Sequence, residues 1–307
     1  MASLHIPSKT RYLTNRSRIN ILIDEYLAVD HLSHHLNDLS TQFVSPHQRP
    51  WGPVHWQAID QTQIISIAPD IFLELLAGAA EIESPIRSYS RESWDYLHHF
   101  HPQMATFLGG TYGPDQSIQV VGTWEKEERQ HTPALKKIYQ QLTDQQLTLK
   151  PNTVAGYDPS TNPQQDIYQH LISRLSSEWS AISLYLWLMA HSTGALQQAI
   201  SQILQDEVNH LAKFWGFSRW AFGRSFQKQF LASTHTIAQL FRHHAQERTH
   251  GTQVAKTNQR IHQLTESIEL VFTFLRVMVR IRHWDTELSP SYLKHLFGPR
   301  PLETKRL

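Results

Sequence analysis

Three times in this chain a glutamate stands three residues before a histidine: Glu128 with His131, Glu207 with His210, and Glu247 with His250. Residues three apart on a helix are neighbours, so each pair could offer a carboxylate and an imidazole to one ion. Such hard donors, with only a few imidazoles among them, suit iron or manganese. The spacing alone is a poor signal, because 20 histidines in 307 residues produce about one such pair by chance. The surroundings discriminate. When two helices each give Glu-x-x-His and two others each give one inward Glu, the four together hold two metal ions. Each pair therefore needs a lone Glu at the same height on a neighbouring antiparallel helix.

The second half of the chain meets this requirement. Two helices, beginning near Asp166, meet at the turn "HSTG" (His191 to Gly194). Glu178 lies 16 residues before Gly194 and Glu207 lies 13 after it. At ~1.5 Å per residue both stand roughly 20–24 Å from the turn. Glu178 also sits in the apolar and small-residue stretch "SSEWSAISLYLWLMA", where a carboxylate is costly to bury without a partner. In the first half Glu74, Glu81, Glu83 and Glu92 all precede Glu128. A helix over Pro69 to His99 and a second over Ser117 to Leu142 bring this group level with Glu128, and spacing leaves Glu81 and Glu83 equal candidates. Glu247 and His250 precede Gly251 with no lone Glu at matching height, so they read as a helix end.

The elements that must position these groups are helical throughout, which makes the expected class all-α. "RPWGPVHW" (Arg49 to Trp56) is irregular, Phe100 to Ser117 reads as a loop punctuated by Pro and Gly, and "TLKPNTVAGYDPSTNPQQ" as a polar linker. Further helices are expected near His235 to Glu247 and Asn258 to Trp284, followed by a basic tail. Lys plus Arg (28) nearly cancels Asp plus Glu (27), so no global field points to nucleic acid or a membrane surface. The absence of cysteine excludes disulfides, thiolate metal sites and iron–sulfur clusters. The longest apolar run, "LVFTFLRVMV", is broken by Arg276 and too short to span a bilayer. Residues 1–18 carry Lys9, Arg11, Arg16 and Arg18 with no acid, a weakly transit-like composition without the apolar core of a secretory signal. A cytoplasmic location is the expectation.

Four stretches, "APDIFLELLAGAAEIESPIRSY", "TWEKEERQH", "SSEWSAISLY" and "QDEVNH", resemble in the same order the soluble, plant-type acyl-carrier-protein desaturases. The likeness covers about half the chain, from Ala68 to Phe214. The family's Pro-Asp start, its Gly nine residues on and its metal-binding Glu five further fall on Pro69, Gly78 and Glu83. Its Trp before an acid-acid-x-x-His helix falls on Trp124, Glu127, Glu128 and His131, and its Asp-Glu-x-x-His on Asp206, Glu207 and His210. Ala181 stands where the family usually carries a threonine, with Ser180 beside it, and Pro85 comes earlier than the family's proline and should kink the first helix.

This resemblance implies a single ferritin-like domain over residues 1–307. Its four-helix bundle core would span 68–217, after an irregular and helical extension over 1–67 and before C-terminal helices and a basic tail over 218–307. The implied metal ligands are Glu83, Glu128, His131, Glu178, Glu207 and His210. Ser180, Tyr185, Asp206 and Trp124 are the candidates for supporting roles in catalysis, although an ordinary core position competes at Tyr185 and simple packing at Asp206 and Trp124. Arg87, one turn after Glu83, reads as a solvated surface charge, with pairing to an acid behind the ligands as the alternative. The cofactor would be two iron ions, whose charge four carboxylates balance, with dioxygen as co-substrate. Oxidation of an unactivated carbon at such a centre needs two electrons from outside. In the resembled family these come from ferredoxin, the substrate is an acyl chain on acyl-carrier protein, and the protein is a homodimer. The competing expectations are a di-iron hydroxylase or N-oxygenase of another small molecule, and a non-catalytic ferritin-like iron-binding protein. A desaturase calls for a narrow, deep apolar channel past the metals.

Overall fold

The computed structural model describes residues 8–149, 154, 157–223 and 255–300. Within them helices dominate, as expected. α1 (Ser8–Tyr26), α2 (Val29–Asn37) and α3 (Leu39–Val44) open the chain, and an irregular stretch with short 3-10 turns at Trp56–Ala58 and Gln61–Gln63 leads to the central elements.

The pair that carries Glu178 and Glu207 is the most regular part. α9 (Pro163–Ala190) starts with Pro163 in its first turn and the Asn162 side chain accepting from the Gln165 N–H, both favourable at a helix start. Its buried residues include Leu171, Leu175, Glu178, Ile182 and Tyr185, one stripe at helical spacing. α9 ends at the foreseen turn, where Gly194 takes φ 59°, a left-handed conformation that favours glycine. α10 (Gly194–Phe222) then packs back along α9.

The first half is more broken than its periodicity suggests. The expected helix over Pro69 to His99 is two helices, α4 (Pro69–Glu83) and α5 (Ile86–Leu97). Pro85 has no N–H to give the Glu81 carbonyl, and the Ser84 hydroxyl bonds that carbonyl instead at 3.0 Å. The expected loop from Phe100 to Ser117 holds a helix, α6 (Pro102–Gly109), and most of a small antiparallel hairpin, β1 (Thr111–Tyr112) with β2 (Ile118–Val120). Strands of two and three residues are too short to display a period of two, which is why the sequence did not reveal them. The expected helix from Ser117 to Leu142 begins only at Thr123 and comes as α7 (Thr123–Glu128) and α8 (His131–Thr143). Pro133 accounts for the break, since it removes the donor to the Arg129 carbonyl four residues earlier. Arg129 and Gln130 keep right-handed helical dihedrals (φ −60°, ψ −15° and φ −80°, ψ −26°), so Glu128 and His131 still share a face.

α4 packs on α8, α5 on α7 and α9, and α10 on α7, α8 and α9, so the segments bearing the acids enclose one core. The outer elements lock onto it. From α1, the Arg18 guanidinium donates to the carbonyls of Ala190 and Ser192 at 2.7 Å each and so satisfies groups left open where α9 ends. α11 (Ala255–Trp284), which matches the expected helix near Asn258 to Trp284, lies on α9 with Trp179 and Phe274 stacked 3.9 Å apart. α12 (Pro290–Phe297) was not foreseen, and the Trp220 indole donates to the Gly298 carbonyl just beyond it at 2.8 Å. The helix expected over His235 to Glu247 and the pair Glu247 and His250 lie outside the described residues. Among the described residues no helix is long and apolar enough to cross a membrane.

Candidate metal centre

Glu83 is the last residue of α4, Glu128 the last of α7, and His131 the first of α8, while Glu178 lies within α9 and Glu207 and His210 within α10. These six side chains converge. Glu83, Glu128, His131 and Glu207 form one group and Glu128, Glu178, Glu207 and His210 a second, each with its ligand atoms within 4.8 Å of one another. Glu128 and Glu207 belong to both. All are covered: His131 and His210 are 0% exposed and Glu128, Glu178 and Glu207 no more than 3%, while the Glu83 side chain is 11% exposed.

The two imidazoles point Nδ1 inward. His131 Nδ1 lies 3.2 Å from Glu128 and 3.1 Å from Glu207, and His210 Nδ1 lies 2.9 Å from Glu128 and 3.8 Å from Glu178. These approaches are not aligned as hydrogen bonds: both Nδ1 atoms, Glu178 Oε2 and Glu207 Oε1 are buried without a hydrogen-bond partner. Buried polar atoms are rarely left so.

The opposite ring nitrogens are fully engaged. His131 Nε2 lies 3.3 Å from Asp206 Oδ2, and His210 Nε2 lies 2.8 Å from Glu127 Oε2. A carboxylate there fixes the proton on Nε2 and leaves Nδ1 free to ligate, the usual arrangement behind a metal-bound histidine. Asp206 is itself held by the Trp51 indole at 2.7 Å and the Arg49 Nε at 2.5 Å.

The buried carboxylates and imidazoles shift one another's affinity for protons. Burial, reinforced by Glu207 and Glu128, pushes the Glu83 carboxyl up to about 8, and burial with the same two neighbours holds Glu178 well above the carboxylate range. Burial opposes charge on His131, but Glu128 with Asp206 and Glu207 outweighs it and holds the imidazole well above its ordinary value. His210 is raised likewise, with Glu127 and Glu128 overcoming burial. Glu128 is driven the other way, since the two imidazoles overcome its burial and hold it below the ordinary range.

Such a set of orphaned ligand atoms, hard oxygens and two oriented imidazoles fits a metal ion, and iron or manganese suits it better than a soft metal.

The remaining expectations divide. The Tyr185 hydroxyl, buried at 1% exposure, donates to Glu83 Oε1 at 2.8 Å, so Tyr185 is more than a packing residue. Asp206 orients His131 as described. Trp124 is buried with its ring 6.2 Å from that of His210 and its indole N–H unpartnered. Ser180 gives its hydroxyl to the Ser176 carbonyl one turn back on α9 and makes no hydrogen bond to the clustered acids. Arg87, although its side chain is 42% exposed, takes the pairing alternative: its guanidinium reaches the fully buried Glu125 at 2.9 Å, which Arg129 and Ser90 also bond. Arg49 and Trp51 were visible only as part of an irregular aromatic stretch with no helical spacing to the ligands, and Glu125 went unnoticed although it stands three residues before Glu128. A surface cavity of about 500 Å³ beside α5 is lined by residues including Arg87, Arg91, Glu92 and Asp95 and by none of the six clustered residues, so it is not a channel past the cluster.

The class defined by fold and site is thus a helical protein with a buried carboxylate–imidazole cluster able to hold metal. No family model, curated protein or solved structure matches the chain.

Proposed function

We propose that this protein is a di-iron, dioxygen-dependent oxidase built on a ferritin-like four-helix bundle. One observation carries the reading: Glu83, Glu128, Glu178 and Glu207 come from four separate helical segments to one buried point, with His131 and His210 turned toward it. Glu83, Glu128, Glu207 and His131 would hold one ion, and Glu128, Glu207, Glu178 and His210 the other. When bound, a ferrous pair supplies reduction of dioxygen and oxidation of an unactivated carbon.

The chain's own residues prepare this. Asp206 and Glu127 hold a proton on Nε2 of each imidazole, so that Nδ1 would face the ion, and Tyr185 steadies Glu83 through its hydroxyl. Half-buried Trp51 holds Asp206 against His131, and the two electrons the reaction needs would come from an external ferredoxin-like donor. The resemblance of Ala68 to Phe214 to acyl-carrier-protein desaturases supports a fatty acyl chain on acyl-carrier protein as substrate, desaturation as the outcome, and a homodimer as the working form.

Metal analysis tests the centre. Glu128→Ala and Glu207→Ala are each expected to lose both ions, because each residue serves both groups, whereas Glu247→Ala retains them. Equal metal content in all three variants would remove the assignment. Optical spectra of the anaerobically reduced protein, exposed to oxygen with acyl-carrier substrates, then test the reaction. An unaltered acyl chain alongside another oxidised small molecule would replace the desaturase reading with a hydroxylase or N-oxygenase.

A further inference from the structure

Both outer carboxylates of the centre, Glu127 and Asp206, meet at a single residue that belongs to none of the ligand-bearing helices. Arg49 lies in the irregular stretch between α3 and the first 3-10 turn. Its backbone N–H donates to Glu127 Oε1 at 2.7 Å, while Glu127 Oε2 faces His210 Nε2. Its guanidinium Nε donates to Asp206 Oδ1 at 2.5 Å, while Asp206 Oδ2 faces His131 Nε2. The same guanidinium bonds the Gln202 carbonyl and, at 3.4 Å, the Gln205 side chain on α10. Its neighbours fasten the segment down. Gln48 donates to the Lys126 carbonyl at 3.2 Å, and the Gly52 N–H to the Gln202 side chain at 2.9 Å. Asp206 is fully buried, and a buried carboxylate without a compensating charge is costly and free to turn away.

We propose that Arg49 is the positioning residue shared by both metal positions, acting on His210 through its backbone N–H and Glu127, and on His131 through its guanidinium and Asp206. This rests on the metal reading above. The two branches are chemically separable. Changing the side chain leaves the backbone donor to Glu127 in place, so the damage falls on the His131 position. Lysine preserves a positive charge near Asp206 but loses the fork that also grips α10.

Titration of the metal-free full chain with cobalt(II), followed by its visible absorption, decides the matter. The wild type is expected to take up two equivalents. Outer partners of ligating histidines are commonly worth 10–100-fold in metal affinity. Arg49→Gln should therefore weaken one equivalent at least tenfold and change the other less than about twofold, and Arg49→Lys should recover part of the loss. Gln48→Ala, which removes a neighbouring contact of the same segment without touching either acid, should leave both equivalents unchanged. Two unaltered equivalents in Arg49→Gln would overturn the inference, as would equal weakening of both equivalents in Arg49→Gln and Gln48→Ala. A wild-type protein that fails to bind two equivalents would overturn the metal reading itself and the inference with it.

Discussion

Three buried histidines face carboxylates, and the second ring nitrogen sets His191 apart from His131 and His210. His131 and His210 each have a carboxylate behind Nε2 and an unpartnered Nδ1 among acids. His191, 1% exposed, has both nitrogens engaged, Nδ1 with the Ile65 carbonyl at 3.2 Å and Nε2 with Glu269 at 3.1 Å, and Asn15 donates to the other Glu269 oxygen at 3.4 Å. Nothing there is left to bind an ion, so this second buried acid–histidine pair joins α1, α9 and α11 instead. Glu269→Ala leaves those donors unpaired and should cost about 1–3 kcal/mol of stability. Denaturant unfolding measures that loss, and metal content should not change; a fall in bound metal would show that the pair belongs to the centre. The same scale explains a choice the spacing left open. Phe72, Leu76, Ala79 and Ala80 are the buried residues of α4, and continuing their helical period reaches Glu83, not Glu81.

Among the elements, the ligands of the first half sit at helix ends and those of the second half inside continuous helices. Pro85 and Pro133 impose the ends, and both are visible in the sequence, although only the first was recognised as a breaker. The least legible element was α6. His101, 6% exposed, caps it by accepting from the Met104 N–H at Nδ1, and its Nε2 lies 3.1 Å from the Phe297 carbonyl of α12. This arrangement requires a neutral ring with its proton on Nε2. Burial accordingly holds the imidazole below its ordinary value, against weaker opposition from its backbone bonds. A group depressed in the folded state contributes stability that is complete above its unfolded value of 6.5 and is lost as pH falls through the lower, folded one. Between pH ~7 and ~5 the wild type should therefore lose stability relative to His101→Gln. Parallel pH profiles of the two melting temperatures would show that His101 plays no such part.

For the whole molecule, the centre gathers four buried acids at one point, so an ion bound there would be linked to the fold. An ion at 100 times its dissociation constant should add about 2.7 kcal/mol to the folded state if it does not bind the unfolded chain. Calorimetry should accordingly show a higher melting temperature with ferrous or manganous ion and a lower one after chelation. An unchanged melting temperature at saturating metal would separate the cluster from stability and from metal binding alike.

The sequence by itself determined the helical class, the turn between α9 and α10 and the height match of Glu178 with Glu207, because these depend on local periodicity and on counting residues along a rigid rise of ~1.5 Å each. It also raised Glu128 with His131 and Glu207 with His210 above the third pair through the company each one keeps. Only the tertiary structure decided which atoms behind the histidines hold them, that Arg49 and Trp51 reach in from outside the ligand-bearing helices, and that Arg87 serves the buried Glu125. Those contacts join residues from 38 to 157 positions apart. No local period encodes them, because they arise only once packing has set the helices side by side.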